Sequence, residues 1–164
     1  MVSIIVPTFN EEKNIENLLA LIGHSFSKNN QNYEVIVIDD HSSDGTWELL
    51  QQLASLYPLK FFRKIGRKGK ALSLYEGFSK SCGDTLVMCD ADLQYPPEAI
   101  AEMVKALDDS DLVVANRKNY YDSNLRKFLS RTFRFAFGKF LFGIDSDIQS
   151  GLKVFKRRVW ETVK

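Results

Sequence analysis

Two cysteines in 164 residues, Cys82 and Cys89, are too few for a disulfide scaffold or a thiolate metal framework. Cys89 lies in an apolar run and reads as a small core residue, and a reducing compartment fits this usage. No apolar run approaches the roughly 20 residues that a membrane-spanning helix needs. The opening "MVSIIVPTFNEE" has no basic region and reaches Pro7 and Asn10 too early for a secretory leader. Glycine is missing where a dinucleotide fold would need it. The turn after the first apolar run is "PTFNEE", with no residue small enough for close backbone approach to a pyrophosphate. A phosphate-cradling P-loop is also excluded. In "KIGRKGKA" Lys64 stands where the first glycine belongs, and Ala71 follows Gly69-Lys70 in place of Ser or Thr. There is no repeat, no low-complexity tract and no linker, so one domain is expected over residues 1–164.

Charge is balanced in total and uneven along the chain. Residues 1–116 carry 10 Lys/Arg against 17 Asp/Glu, and residues 117–164 carry 12 against 4, leaving a net charge of +1. A near-neutral total argues against a nucleic-acid partner. The basic final third points to a local anion, a phosphate group or a lipid surface, unless it is simply a solvated basic face. The chain stops at "RRVWETVK", which reads as the inside of a helix, so further C-terminal sequence is expected.

The pattern that is present alternates. "VSIIVPTF", "YEVIVIDD" and "DTLVMCDAD" are continuous apolar runs of the kind found in strands buried on both faces. "LKFFRKI" and "DLVVANR" read as further strands. Between them, "EEKNIENLLALIGHSF", capped by Asn10, and "TWELLQQLASLY", "KGKALSLYEGFSKSC" and "PPEAIAEMVKALDD" read as helices, the third ended by Gly83. This predicts an α/β fold with a mainly parallel central sheet and helices on both faces. Ligands of such sheets collect beyond the carboxyl ends of the strands. Asp39-Asp40 and Asp90/Asp92 fall at such ends, and Asn116 and Arg117 end another strand.

Two aspartates separated by one residue repel each other unless a cation or several donors lie close by. In an extended backbone Asp90, Asp92 and Gln94 would point the same way. Two carboxylates and an amide oxygen form a hard ligand set suited to Mg²⁺ or Mn²⁺ completed by phosphate oxygens. The alternative is that the pair only caps the following helix.

"SIIVPTFNEEKNI", "EVIVIDDHSSDGT", "GKALSLYEGF", "DADLQYPPE", Asn116-Arg117 and "DIQSGLKVF" occur in the order seen in family 2 glycosyltransferases of the GT-A fold. They resemble most the polyprenyl-phosphate branch, which includes dolichol-phosphate mannose synthases and bactoprenol-phosphate glucosyltransferases. The resemblance implies inverting transfer of a sugar from a nucleotide-diphospho-sugar to a polyprenyl phosphate, with a divalent metal. It divides the chain into a donor-binding part, 1–116, and an acceptor-side part, 117–164. Pro7, Phe9 and Glu11 would line the base and ribose, Asp40 would read the base edge with Asp39 orienting it, and Lys70 would lie beside the diphosphate. Asp90, Asp92 and Gln94 match the metal set. Arg117 and Arg131 match phosphate-binding arginines, so catalysis would rest on Asp92, Arg117 and Arg131. Asp147 and Gln149 match acceptor-side polar positions, although Leu152 stands where the family commonly has Phe.

Each residue also has a plainer reading. Glu11 can be a helix N-terminal acid, Asp44-Gly45 turn chemistry, Lys68 a solvated neighbour and Arg131 a surface residue of an amphipathic helix. The aromatic and basic residues of 126–144 fit an interfacial helix on an anionic membrane, at the cytoplasmic face that the resemblance implies, or equally a core helix. Two other functions remain open: transfer to a sugar hydroxyl, with Asp147 as the base, and a non-catalytic nucleotide-sugar or lipid-phosphate binding module. The processive-synthase signature Gln-x-x-Arg-Trp does not occur in these residues.

Overall fold

The computed structural model describes residues 1–116 and 150–164. Eleven elements follow one another: β1 (Val2–Thr8), α1 (Ile15–Lys28), β2 (Tyr33–Asp39), α2 (Thr46–Leu53), β3 (Leu59–Arg63), α3 (Lys70–Lys80), β4 (Thr85–Cys89), α4 (Ala99–Lys105), β5 (Leu112–Val114), β6 (Leu152–Lys156) and α5 (Arg157–Val163). Among the described residues the six strands form one sheet in the order β3-β2-β1-β4-β6-β5. The pairings β1–β2, β1–β4 and β2–β3 are parallel, while β6 runs antiparallel to both neighbours, β4 and β5.

Period-two alternation on the central strands builds two cores. Ile4 and Val6 of β1 and Val35 and Val37 of β2 pack against Leu18, Leu19 and Ile22 of α1, Leu50 of α2 and Ile100 of α4. Ile5 and Leu86 point to the other face and meet Phe78 of α3, with Phe155 and Trp160 packed beside them. Both faces are thus covered, which is why the strands read as unbroken apolar runs. Leucine, isoleucine and valine at these sites are at most 1% exposed, so each contributes on the order of 1.5–3 kcal/mol of burial.

Several boundaries differ from the sequence reading. The helix expected from Asn10 begins at Ile15. Asn10 adopts a left-handed backbone (φ 58°) and bridges two strand-end turns, its N–H donating to Ser42 Oγ at 2.9 Å while its Oδ1 accepts from Ser43 N–H at 2.8 Å. The third helix ends at Lys80, and Gly83 is instead buried beside the Met1 carbonyl and Ser3. The antiparallel β6 was not foreseen. It comes from the chain's final residues and lies between β4 and β5, so residues 150–164 do not stand apart from the first part of the chain.

Candidate active site

β1, β2 and β4 run parallel, so their carboxyl ends fall side by side. A cleft opens there, lined by Pro7, Thr8, Phe9, Glu11, Asp40, Lys70, Ser73, Asp90, Ala91 and Asp92. Seven of the predicted site residues therefore meet in one place: Pro7, Phe9, Glu11, Asp40, Lys70, Asp90 and Asp92. Of the others, Asp39 and Gln94 do not line it. Arg117, Arg131, Asp147 and Gln149, like the 126–144 segment, lie outside the described residues.

The β1 end supplies a half-exposed Phe9 ring with Lys68 Nζ 5.2 Å from its centroid. It also supplies Glu11, whose Oε2 accepts from Asn14 Nδ2 at 2.8 Å, and Thr8, which lines the cleft and whose buried hydroxyl has no hydrogen-bond partner among the described residues.

The β2 end carries both acids in different roles. Asp39 is fully buried and accepts from Ser42 N–H and from Arg63 Nε at 3.3 Å, so it organises the turn and does not contact Asp40 through any of these bonds. Asp40 faces the cleft. Its Oδ2 accepts from Gly69 N–H at 2.7 Å, and its Oδ1 lies 2.7 Å from Lys64 Nζ. Burial alone would raise the Asp40 carboxyl, but the Lys64 ammonium and the Gly69 amide outweigh it and hold the group below its usual range.

The β4 end carries the Asp-x-Asp. The strand stops at Cys89, and the backbone then turns, with Leu93 in a left-handed conformation (φ 56°). A bulky residue there is strained, and such strain concentrates at functional sites. The premise of an extended run from Asp90 to Gln94 does not hold. Gln94 N–H donates to Asp92 Oδ1 at 3.1 Å across the turn, and the Gln94 side chain is not in the cleft lining. Asp90 is clasped by Lys70, whose Nζ lies 2.6 Å from Oδ1 and 2.7 Å from Oδ2. Among the described residues Oδ1 nevertheless accepts no well-directed hydrogen bond. Next to it Cys89 is buried, and its thiol is pushed up to about 12 by that burial and by the charges of Asp90 and Asp92, so it stays protonated.

Two residues that sequence reasoning passed over complete the site. Lys64 is 2% exposed and pairs with Asp40. Gly151, just before β6, lies against Asp90. Its carbonyl accepts the Asp90 N–H at 3.2 Å, and a Cβ added there would fall inside the Asp90 carboxylate. The antiparallel β4–β6 pairing, Cys89 opposite Leu152, brings them together. A glycine immediately before a strand was the available signal, since it marks close approach of another group.

The residues present fit a hard divalent cation. Among the described residues no three Asp, Glu, His or Cys groups form a closed cage. Asp90 and Asp92 supply two hard oxygens at the cleft, and Lys70 already places positive charge on Asp90. Such a pair leaves the other coordination positions to phosphate oxygens and water, as Mg²⁺ prefers.

Known proteins resemble this chain to different degrees. A dolichol-phosphate mannosyltransferase of Pyrococcus furiosus is 42% identical over 117 residues, covering 71% of this chain and 33% of that protein. An undecaprenyl-phosphate 4-deoxy-4-formamido-L-arabinose transferase of Aeromonas hydrophila is 33% identical over 162 residues, 97% of this chain and 50% of that protein. The chain thus spans about a third to a half of the length of these relatives. Among solved structures, a Pyrobaculum calidifontis mannosyltransferase in complex with GDP-Man and Mn²⁺ superposes with TM-score 0.69 at 26% identity, over 99% of this chain and 46% of its own. Glucosyl-3-phosphoglycerate synthase of Mycobacterium tuberculosis superposes with TM-score 0.70 at 23% identity, over 97% of this chain and 57% of its own, a likeness of fold alone. These neighbours share the GT-A fold. The profile described as "Glycosyl transferase family 2" matches residues 3–163, from the first strand through the last helix; with the acids of β2 and β4 meeting at one cleft, the chain belongs to that family.

Proposed function

We propose that this chain is the catalytic portion of an inverting glycosyltransferase that moves one sugar from a nucleotide-diphospho-sugar to a polyprenyl phosphate. The observation that carries the reading is the convergence of Pro7, Phe9, Glu11, Asp40, Lys70, Asp90 and Asp92, drawn from four separate segments, at one strand-end cleft. The polyprenyl-phosphate acceptor is inferred from the two relatives named above.

In this reading Pro7 and Phe9 form the apolar wall for base and ribose. Glu11 accepts from ribose hydroxyls. Asp40, kept ionised by Lys64, accepts from a base N–H. Lys70 leaves Asp90 and turns to the donor diphosphate. Asp90 and Asp92, with Gln94 after a change of the 91–94 turn, would hold Mg²⁺ or Mn²⁺, which supplies neutralisation of the charge that develops on the leaving diphosphate. Arg117 and Arg131 would grip the acceptor phosphate with paired guanidinium donors and hold it in line with the anomeric carbon. A phosphate dianion is already nucleophilic near neutral pH, so no general base is assigned. One displacement inverts the anomeric centre. Asp147 and Gln149 would border the acceptor, and residues 126–144 would rest on the cytoplasmic face of a membrane.

The test is a panel of GDP- and UDP-sugars with the full-length protein, a short-chain polyprenyl phosphate and Mg²⁺ or Mn²⁺. A metal-dependent glycosyl-phosphate product is expected from one donor. A product formed only on sugar hydroxyls would replace the acceptor assignment. Tight nucleotide binding without turnover on either acceptor would leave a binding module.

A further inference from the structure

Lys64 lies behind the cleft wall, 2% exposed, and does not line the cleft itself. An ammonium has three N–H donors, and burying one is costly unless each finds an acceptor. Here all three do. Lys64 Nζ lies 2.7 Å from Asp40 Oδ1, 3.0 Å from the Gly69 carbonyl and 3.2 Å from Ser73 Oγ. These acceptors belong to three different pieces of the chain: the end of β2, the loop after β3 and the first turn of α3. Asp40 and Ser73 line the cleft, and Gly69 immediately precedes Lys70. Gly69 also donates its N–H to Asp40 Oδ2 at 2.7 Å and adopts φ 139°, a conformation that favours glycine. One buried charge therefore ties the Asp40 carboxylate to the peptide that launches α3 and to the residue that reaches Asp90.

We propose that Lys64 is a positioning residue of the donor site: it aims Asp40 into the cleft and, through Gly69, sets where Lys70 enters the diphosphate end. The inference rests on the donor-site reading above. A buried lysine that served only as a core staple would hold groups unconnected to the cleft. Each of the three groups that Lys64 holds either lines the cleft or adjoins a residue that does.

The experiment is calorimetry of GDP and UDP on the full-length protein, with and without MnCl₂, well below each variant's unfolding midpoint. Lys64→Met keeps the length and removes the charge. Donor affinity is expected to fall roughly tenfold or more, the size of a lost charged hydrogen bond, both with and without metal. The acceptor KM should not change. Lys64→Arg should recover part of the loss, because its planar fork cannot reach the same three oxygens from one nitrogen. A Lys64→Met protein that melts earlier but binds GDP or UDP as the wild type does would reduce Lys64 to a staple and overturn the proposal. Where that variant does not fold, Ser73→Ala and Lys64→Arg decide, since unchanged nucleotide affinity in both also overturns it. Wild-type protein that binds neither nucleotide removes the donor-site reading itself, a different failure.

Discussion

β2 carries a buried acid near each end, and the two are built differently. At the amino end Glu34 sits in a closed cluster. Its Oε1 accepts from Ser3 Oγ at 2.6 Å and Cys82 N–H at 2.9 Å, and its Oε2 accepts from Lys60 Nζ at 2.8 Å. Gly83 N–H donates to the same Ser3, and Arg157 Nε donates to the Gly83 carbonyl at 2.6 Å, so β1, β2, β4 and α5 are laced together. Burial would raise the Glu34 carboxyl, but these donors prevail and hold it at about 2. At the carboxyl end of the sheet Asp40, after β2, and Asp90, after β4, also have lysine partners, yet among the described residues their Oδ1 atoms accept no directed hydrogen bond, and both line the cleft. The amino-end acid spends both oxygens on hydrogen bonds within its own fold, whereas Asp40 and Asp90 each keep one buried oxygen without a directed hydrogen bond at the wall of the cleft. This contrast separates an acid committed to the fold from an acid at the cleft more clearly than burial does.

The largest effect should come from Asp92→Ala, which removes one of the two cleft carboxylates at the β4 end. Mn²⁺-dependent GDP or UDP binding should disappear in calorimetry while circular dichroism stays native. Undiminished metal-dependent binding would take the metal assignment away from this pair.

Gly151→Ala should come next. The new methyl displaces the Asp90 carboxylate without touching the nucleoside wall, so metal-dependent affinity should drop about 10- to 100-fold, as when a ligand's support is lost. Binding without metal should be nearly retained. Equal losses with and without Mn²⁺ would show that Gly151 supports the whole cleft and not Asp90 in particular.

Glu34→Gln tests the other end of the comparison. It should cost on the order of 2–3 kcal/mol of stability at neutral pH and leave nucleotide affinity alone. The folded carboxyl sits below its ordinary 4.5, so its contribution is complete above that pH and fades as pH falls toward about 2. Denaturant midpoints of wild type and variant should therefore converge between these values. A changed nucleotide affinity would mean that the two ends are coupled.

The smallest effect is expected from Lys70→Met. Lys70 is half exposed, so its pairing with Asp90 is worth about 0–1 kcal/mol. Without nucleotide the variant should bind Mn²⁺ up to about fivefold more tightly, because a competing cation is gone, and with GDP or UDP present it should bind less well. Titration of free Mn²⁺ by paramagnetic resonance reads the first part. Weaker Mn²⁺ binding in the absence of nucleotide would show that Lys70 supports the metal site and does not compete for it.

Much of this was legible residue by residue. Unbroken runs such as "SIIV" and "VIVI" announce strands buried on both faces, and acids that end such runs sit at the sheet's ligand edge because parallel strands end together. Asp40, Asp90 and Asp92 were found on that basis. Lys64 was not, because a lysine in a basic loop has no local mark of burial, and its three oxygen partners are Asp40, Gly69 and Ser73. Gln94 was assigned from an extended register that the left-handed Leu93 breaks, a backbone choice that side-chain pattern does not encode.

The sequence alone determined the alternation of strands and helices, the acids at the strand ends and the family, since all of these rest on short-range periodicity and ordered motifs. Only the tertiary structure decided that β6 enters antiparallel between β4 and β5, that Gly151 thereby makes room for Asp90, and that Lys64 folds inward to Asp40. The physical reason is the same in each case. These contacts join residues far apart in the chain, or bury a charge that only the assembled cleft can satisfy, and neither the gain nor the cost exists until the sheet has closed around them.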